Sequence, residues 1–106
     1  MNMIANIRSV DARESIFSRL DALIARRPPS PVAARVEARQ LVSAAIADSC
    51  QADSLWGAVD VFHAHFDFMM QTIEINGDDD PNLRILRTKC RFYLEQVEAL
   101  CLSLSY

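Results

Sequence analysis

The segment Phe62-His63-Ala64-His65-Phe66-Asp67-Phe68-Met69-Met70 holds both histidines of the chain, with Asp60 just upstream. Imidazoles and carboxylates this close together can serve two chemistries. One is a metal centre, where neutral imidazole and ionised carboxylate are the ligands. The other is a histidine that accepts a phosphoryl group. The backbone decides which of these is open. On a strand, side chains alternate, so His63, His65 and Asp67 would share a face and both imidazoles could reach one ion. On a helix the two histidines diverge by ~200°, and His63 instead shares a face with Asp60 and Asp67.

The pattern around the segment favours the helix. Leu55, Val59, Phe62, Phe66, Met69 and Ile73 advance in alternating steps of four and three residues, the helical period sustained over about five turns. Met69-Met70 interrupts the strand alternation, and no other segment reads as a strand to pair with. A lone strand would leave its backbone groups unsatisfied. The candidate centre therefore reduces to His63 with Asp60 and Asp67. Carboxylate-bridged dinuclear bundles take a carboxylate from each of two helices and a Glu-x-x-His from each of the other two. Here Asp60-x-x-His63 stands alone, and a mononuclear ion would have to borrow Glu14 or Glu95. The expectation is no metal and no cofactor, only a solvated acidic face that carries one histidine.

The elements that position this segment can be read from their ends. Ser9 is expected to cap a first helix over 9–27, with Asp11 and Glu14 early and Arg26 and Arg27 late, the order that suits the helix dipole. Val10, Phe17, Leu20 and Ile24 form its apolar stripe, widened by Ile16 and Leu23. Arg-Arg-Pro-Pro stops it, because proline lacks an amide hydrogen and biases the preceding residue away from helix. Ser30-Pro31, a capping hydroxyl followed by proline, starts a second helix over 31–50 that is rich in alanine, with Val32, Val36, Leu41, Val42 and Ile46 as its bulk. Asp53 or Ser54 is expected to cap the third, over 54–75, and Asn76-Gly77 to close it. Asp80-Pro81 opens a fourth over 81–104. Its Leu83, Leu86, Cys90, Tyr93, Val97, Leu100 and Leu104 form an unbroken coiled-coil seam. Links this short suit antiparallel neighbours. The expected fold is all-α, an antiparallel up-down four-helix bundle in a single domain of 106 residues.

A small helical bundle with a mid-helix histidine resembles the histidine phosphotransfer domains in general shape. That family carries a lysine and a glycine soon after the histidine, to hold the phosphoryl group and admit the partner. Here Phe66, Asp67, Phe68 and Met69 follow, and no Lys or Arg stands between Arg39 and Arg84. Asp60 and Asp67 would repel an incoming phosphoryl group. Other catalytic signatures are absent too: no Gly-rich phosphate loop, no G-x-S-x-G, no H-E-x-x-H. Asn76-Gly-Asp-Asp-Asp-Pro lacks the spacing of a calcium loop. The chain is expected not to be an enzyme.

Composition narrows the remaining classes. The formal charge is −3, and it is unevenly placed: residues 41–80 hold eight acids and no Lys or Arg, while the segments before and after are basic. That balance opposes a nucleic-acid footprint. No apolar run approaches the ~20 residues of a membrane span, and the start of the chain has no secretory pattern, so no membrane partner and a cytoplasmic location are expected. Three cysteines without a C-x-x-C spacing suggest buried, reduced thiols.

What is left is a surface for a partner. Arg84, Arg87 and Arg91 crowd the first half of the fourth helix against its dipole. They are expected to pair across helices with Asp67 and Glu74, or else to receive an acidic patch of a partner. Ile85 and Phe92 lie on the back of the fourth helix, and Val61, Phe68 and Ile75 recur every seven residues on the third. Uncovered apolar stripes commonly mark interfaces. The expected role is binding another protein, most simply a second copy in a homodimer formed through the third and fourth helices.

Overall fold

The computed structural model describes the backbone of residues 2–26 and 28–105 and the side chains of residues 13–26 and 28–105. It holds four helices in chain order: α1 (Asn2–Ala25), α2 (Pro31–Ile46), α3 (Asp53–Asn76) and α4 (Leu83–Ser103). Each packs on the next, and α4 returns to α1, which makes an all-α four-helix bundle of up-down order. Among the described residues, no helix is long and apolar enough to cross a membrane.

Helix ends differ from the sequence expectation in instructive ways. Ser9 does not start α1, which is already helical at Asn2. No Gly or Pro stands ahead of Ser9, and Met, Ile and Ala sustain a helix without a cap at that point. The side chains of Ser9, Val10 and Asp11 and all of Arg27 lie outside the described residues. Ser30 behaves as expected: it is extended, its Oγ accepts the Ala33 N–H at 3.2 Å, and Pro31 takes the first helical position. α2 ends at Ile46 instead of Cys50, because the chain is recruited elsewhere. Ser49 is buried and forms an isolated antiparallel bridge with Ser105, and the Cys50 N–H donates to the Leu104 carbonyl at 2.8 Å. The Gln51 amide donates to the Ile46 and Ser49 carbonyls, satisfying groups the helix end leaves open.

Neither Asp53 nor Ser54 is the cap of α3. Ala52 occupies that position without a side-chain bond, and Asp53 stands in the first turn as a negative charge at the positive end of the helix. At the other end Gly77 takes φ 77°, and its N–H donates to the Ile73 carbonyl at 2.8 Å. Glycine adopts this left-handed conformation without steric penalty. α4 starts at Leu83, two residues past the expected proline. Asp80 still organises the start: its Oδ1 accepts the Asn82 N–H at 2.8 Å and its carbonyl the Leu83 N–H at 3.1 Å.

The core runs the length of the bundle. Every α3 position in the four-three register is buried, with Met70 added. In α4 Leu83, Leu86, Cys90 and Val97 are buried as expected, but Leu94 and Cys101 are buried in place of Tyr93 and Leu100, which with Leu104 pack only partly. A helix of 3.6 residues per turn drifts off a strict seven-residue seam, so Leu94 and Cys101 replace their neighbours Tyr93 and Leu100 on the buried line while Val97 keeps its place. On α2 the small residues Ala34, Ala38 and Ala45 face inward with Leu41, Val42 and Ile46, while Val32 and Val36 stand in solvent. Cys90 and Cys101 are buried thiols; Cys50 is exposed, contrary to expectation, because the chain has left α2 there.

Candidate functional site

α3 carries the histidines on different sides, as a helix requires. His63 is half-buried on the side facing α2, and its Nδ1 is shielded from solvent without a hydrogen-bond partner. Burial pushes its pKa below the ordinary value, helped by the nearby Arg39 guanidinium and opposed by the Asp67 and Asp60 carboxylates. Asp67 is occupied, since the Arg39 Nη2 meets its Oδ2 at 2.5 Å. Asp60 is exposed. Glu14 and Glu95 line the groove between α1 and α4, along with Phe17 and Leu94, and so stand on another side of the bundle. Among the described residues, no three His, Cys, Asp or Glu side chains come together as a metal site would need.

The ion pairs correct the expected charge register. Asp67 and Glu74 do not pair with the arginines of α4. They pair with α2, Asp67 to Arg39 and Glu74 to Arg35 at 3.8 Å. The reason is rotational. The acidic face of α3 turns to α2, where Arg35 and Arg39 sit one turn apart, while the arginines of α4 turn toward α1. Arg91 there meets Asp21 at 3.3 Å. Arg84 is exposed, and Arg87 is half-buried with its Nε unpartnered. Such exposed pairs fix register more than they add stability.

The apolar stripes remain open. Ile85 is 58% exposed, Phe92 54%, Phe68 57% and Val61 39%. Ile75, at the end of the α3 stripe, is 70% exposed. They are joined across the two helices. Phe68 and Ile85 border one groove of ≈ 350 Å³, which Thr72 and Lys89 also line. One turn away the His65 imidazole lies against the Tyr93 ring, centroids 4.3 Å apart, and Phe92 meets Tyr93 edge-on at 5.3 Å. The His65 Nδ1–H donates to the Val61 carbonyl at 2.8 Å, which fixes the ring on the strip. A single ribbon of apolar and aromatic surface thus crosses from α3 to α4.

Of the residues expected from sequence to bind a partner, Val61, Phe68, Ile85 and Phe92 are brought together, and Arg84, Arg87 and Arg91 are not among them. Those arginines lie roughly 110° further round α4, toward α1. His65, beside the α3 stripe, and Tyr93 complete the ribbon, and Tyr93 was not expected in it. The strict seven-residue seam placed Tyr93 in the core; a 3.6-residue period would have set it at the edge.

No protein-family model matches the chain, and neither the curated proteins nor the solved structures contain a match to it.

Proposed function

We propose that this protein is a non-enzymatic interaction module, a small regulator, adaptor, chaperone or inhibitor, that works by binding another protein chain through the joined faces of α3 and α4. One observation carries the reading: Phe68, Ile85 and Phe92 stand more than half exposed on one ribbon, linked by the His65–Tyr93 stack. Burying such side chains would gain roughly 1.5–3 kcal/mol each, and large aromatics dominate the energetics of interfaces. The ribbon lies on two well-packed helices, so it would reach a partner with little ordering cost.

The rival reading, a metal or phosphoryl centre at His63 with Asp60 and Asp67, lacks a comparable support. Asp67 is engaged by Arg39 and Asp60 stands in solvent.

The test is capture from native host extract with full-length protein as bait, wild type beside Phe68→Glu and Phe92→Glu. The reading expects a partner retained by the wild type and lost with both variants while their helical content is unchanged. Retention by both variants would move the interface elsewhere. A phosphoramidate on His63 in the purified protein, or stoichiometric metal lost with His63→Ala, would instead favour the rival.

A further inference from the structure

We infer that the occupant of the α3–α4 ribbon is a second copy of this chain, set against the first about a two-fold axis so that each ribbon covers the other. The inference rests on the interaction-module reading and adds the partner to it.

Area is the first argument. Val61, Phe68, Ile75, Ile85 and Phe92, at 39, 57, 70, 58 and 54% exposure, together present apolar surface on the order of 500 Å². That is near the top of what a monomer carries in one patch. With the His65–Tyr93 pair and a polar rim it approaches the roughly 800 Å² per partner of a standard stable interface. One ribbon laid on its own copy meets that need with no further surface.

Charge is the second. Two of the acids of α3 are spent on α2, Asp67 with Arg39 and Glu74 with Arg35, while Asp60 stays in solvent at the margin of this face. Arg91 is spent on α1. Lys89 and Asp80 line the groove beside Phe68 and Ile85, and their charges sum to zero. A two-fold axis brings every charge in a patch toward its own copy, so a charged ribbon would repel itself, while a neutral one does not. A foreign partner would gain neither steering nor discrimination from so neutral a face.

Sedimentation of the full chain over a wide range of concentration tests this. The expected result is a dimer whose formation changes little between low and high salt, because no net charge is buried. Phe92→Glu and Ile85→Asp should each weaken it at least ~30-fold, since truncating or charging a central anchor costs about 2 kcal/mol or more. Both should keep the wild-type helical content. Trp56→Glu, at an exposed site outside the ribbon, should leave the dimer intact. Having two ribbon variants guards against one that fails to fold. A monomer at the highest concentration reached, or a dimer insensitive to both variants, overturns the inference. If the chain is monomeric and a host protein is still captured only when Phe92 is intact, the interaction module stands and the second copy falls. If neither is seen, both fall.

Discussion

The Arg39 guanidinium on α2 meets the Asp67 carboxylate on α3 at 2.5 Å, one turn along from His63. This contact takes away the carboxylate a histidine centre would need and sets a cation beside the imidazole. Burial and, after it, the Arg39 guanidinium lower the His63 pKa, with Asp67 and Asp60 pulling the other way.

These opposing charges can be read one at a time. In an NMR titration, Arg39→Gln should let His63 titrate at higher pH, by removing a repulsive cation. Asp67→Asn should move it lower, by removing a carboxylate that favours the imidazolium. Because the folded-state pKa lies below the ordinary imidazole value of about 6.5, the unfolded chain takes up a proton near that pH more readily than the folded chain does. Stability should therefore fall as pH drops from about 7 toward 5, and His63→Gln should flatten that slope in thermal melts. An unaltered slope would remove His63 as the cause.

The two glycines should respond oppositely to alanine. Gly57 lies inside α3, and a Cβ built there meets nothing within 4 Å. Gly57→Ala should stabilise by about 0.5–1 kcal/mol, through helix propensity and a less free unfolded chain. Gly77 sits at φ 77°, where a side chain is strained whatever the space around it. Gly77→Ala should cost about 1–2 kcal/mol. Urea denaturation of both variants checks the signs.

Thiol reactivity should divide the cysteines. Burial pushes Cys90 up to about 12 and raises Cys101 as well, so neither offers thiolate near neutral pH. Cys50 is exposed at the α2–α3 link. Brief treatment of the native protein with iodoacetamide at mildly alkaline pH should modify Cys50 alone, and the unfolded protein should take three labels. Mass spectrometry of the digests gives the count, and rapid native labelling of Cys90 would contradict the packing of α4.

Core and ribbon aromatics should separate cleanly. Phe66 is 1% exposed and stacks on Phe62 with centroids 5.9 Å apart. Phe66→Ala should cost about 3–5 kcal/mol in chemical denaturation. Phe92→Ala should change the stability of the isolated monomer by under about 1 kcal/mol, since much of that ring is already in water.

Local pattern alone was enough for the fold class, the helical run of α3 and the divergence of His63 from His65. Each of these rests on local periodicity and on short-range signals such as Ser30-Pro31 and Asn76-Gly77. It also marked Val61, Phe68, Ile85 and Phe92 as lying off the buried line. Three features depend on how the helices pack, which local pattern does not encode. How each helix rotates about its axis gave Asp67 and Glu74 to α2 and Arg91 to α1, because pairing depends on which faces meet and not on charge order along one helix. The 3.6-residue period of α4 put Leu94 rather than Tyr93 on its buried line and left Tyr93 to stack on His65. The clip of Ser49 and Cys50 onto Ser105 and Leu104 ended α2 early, since backbone hydrogen bonds to the far end of the chain displaced the local helical ones.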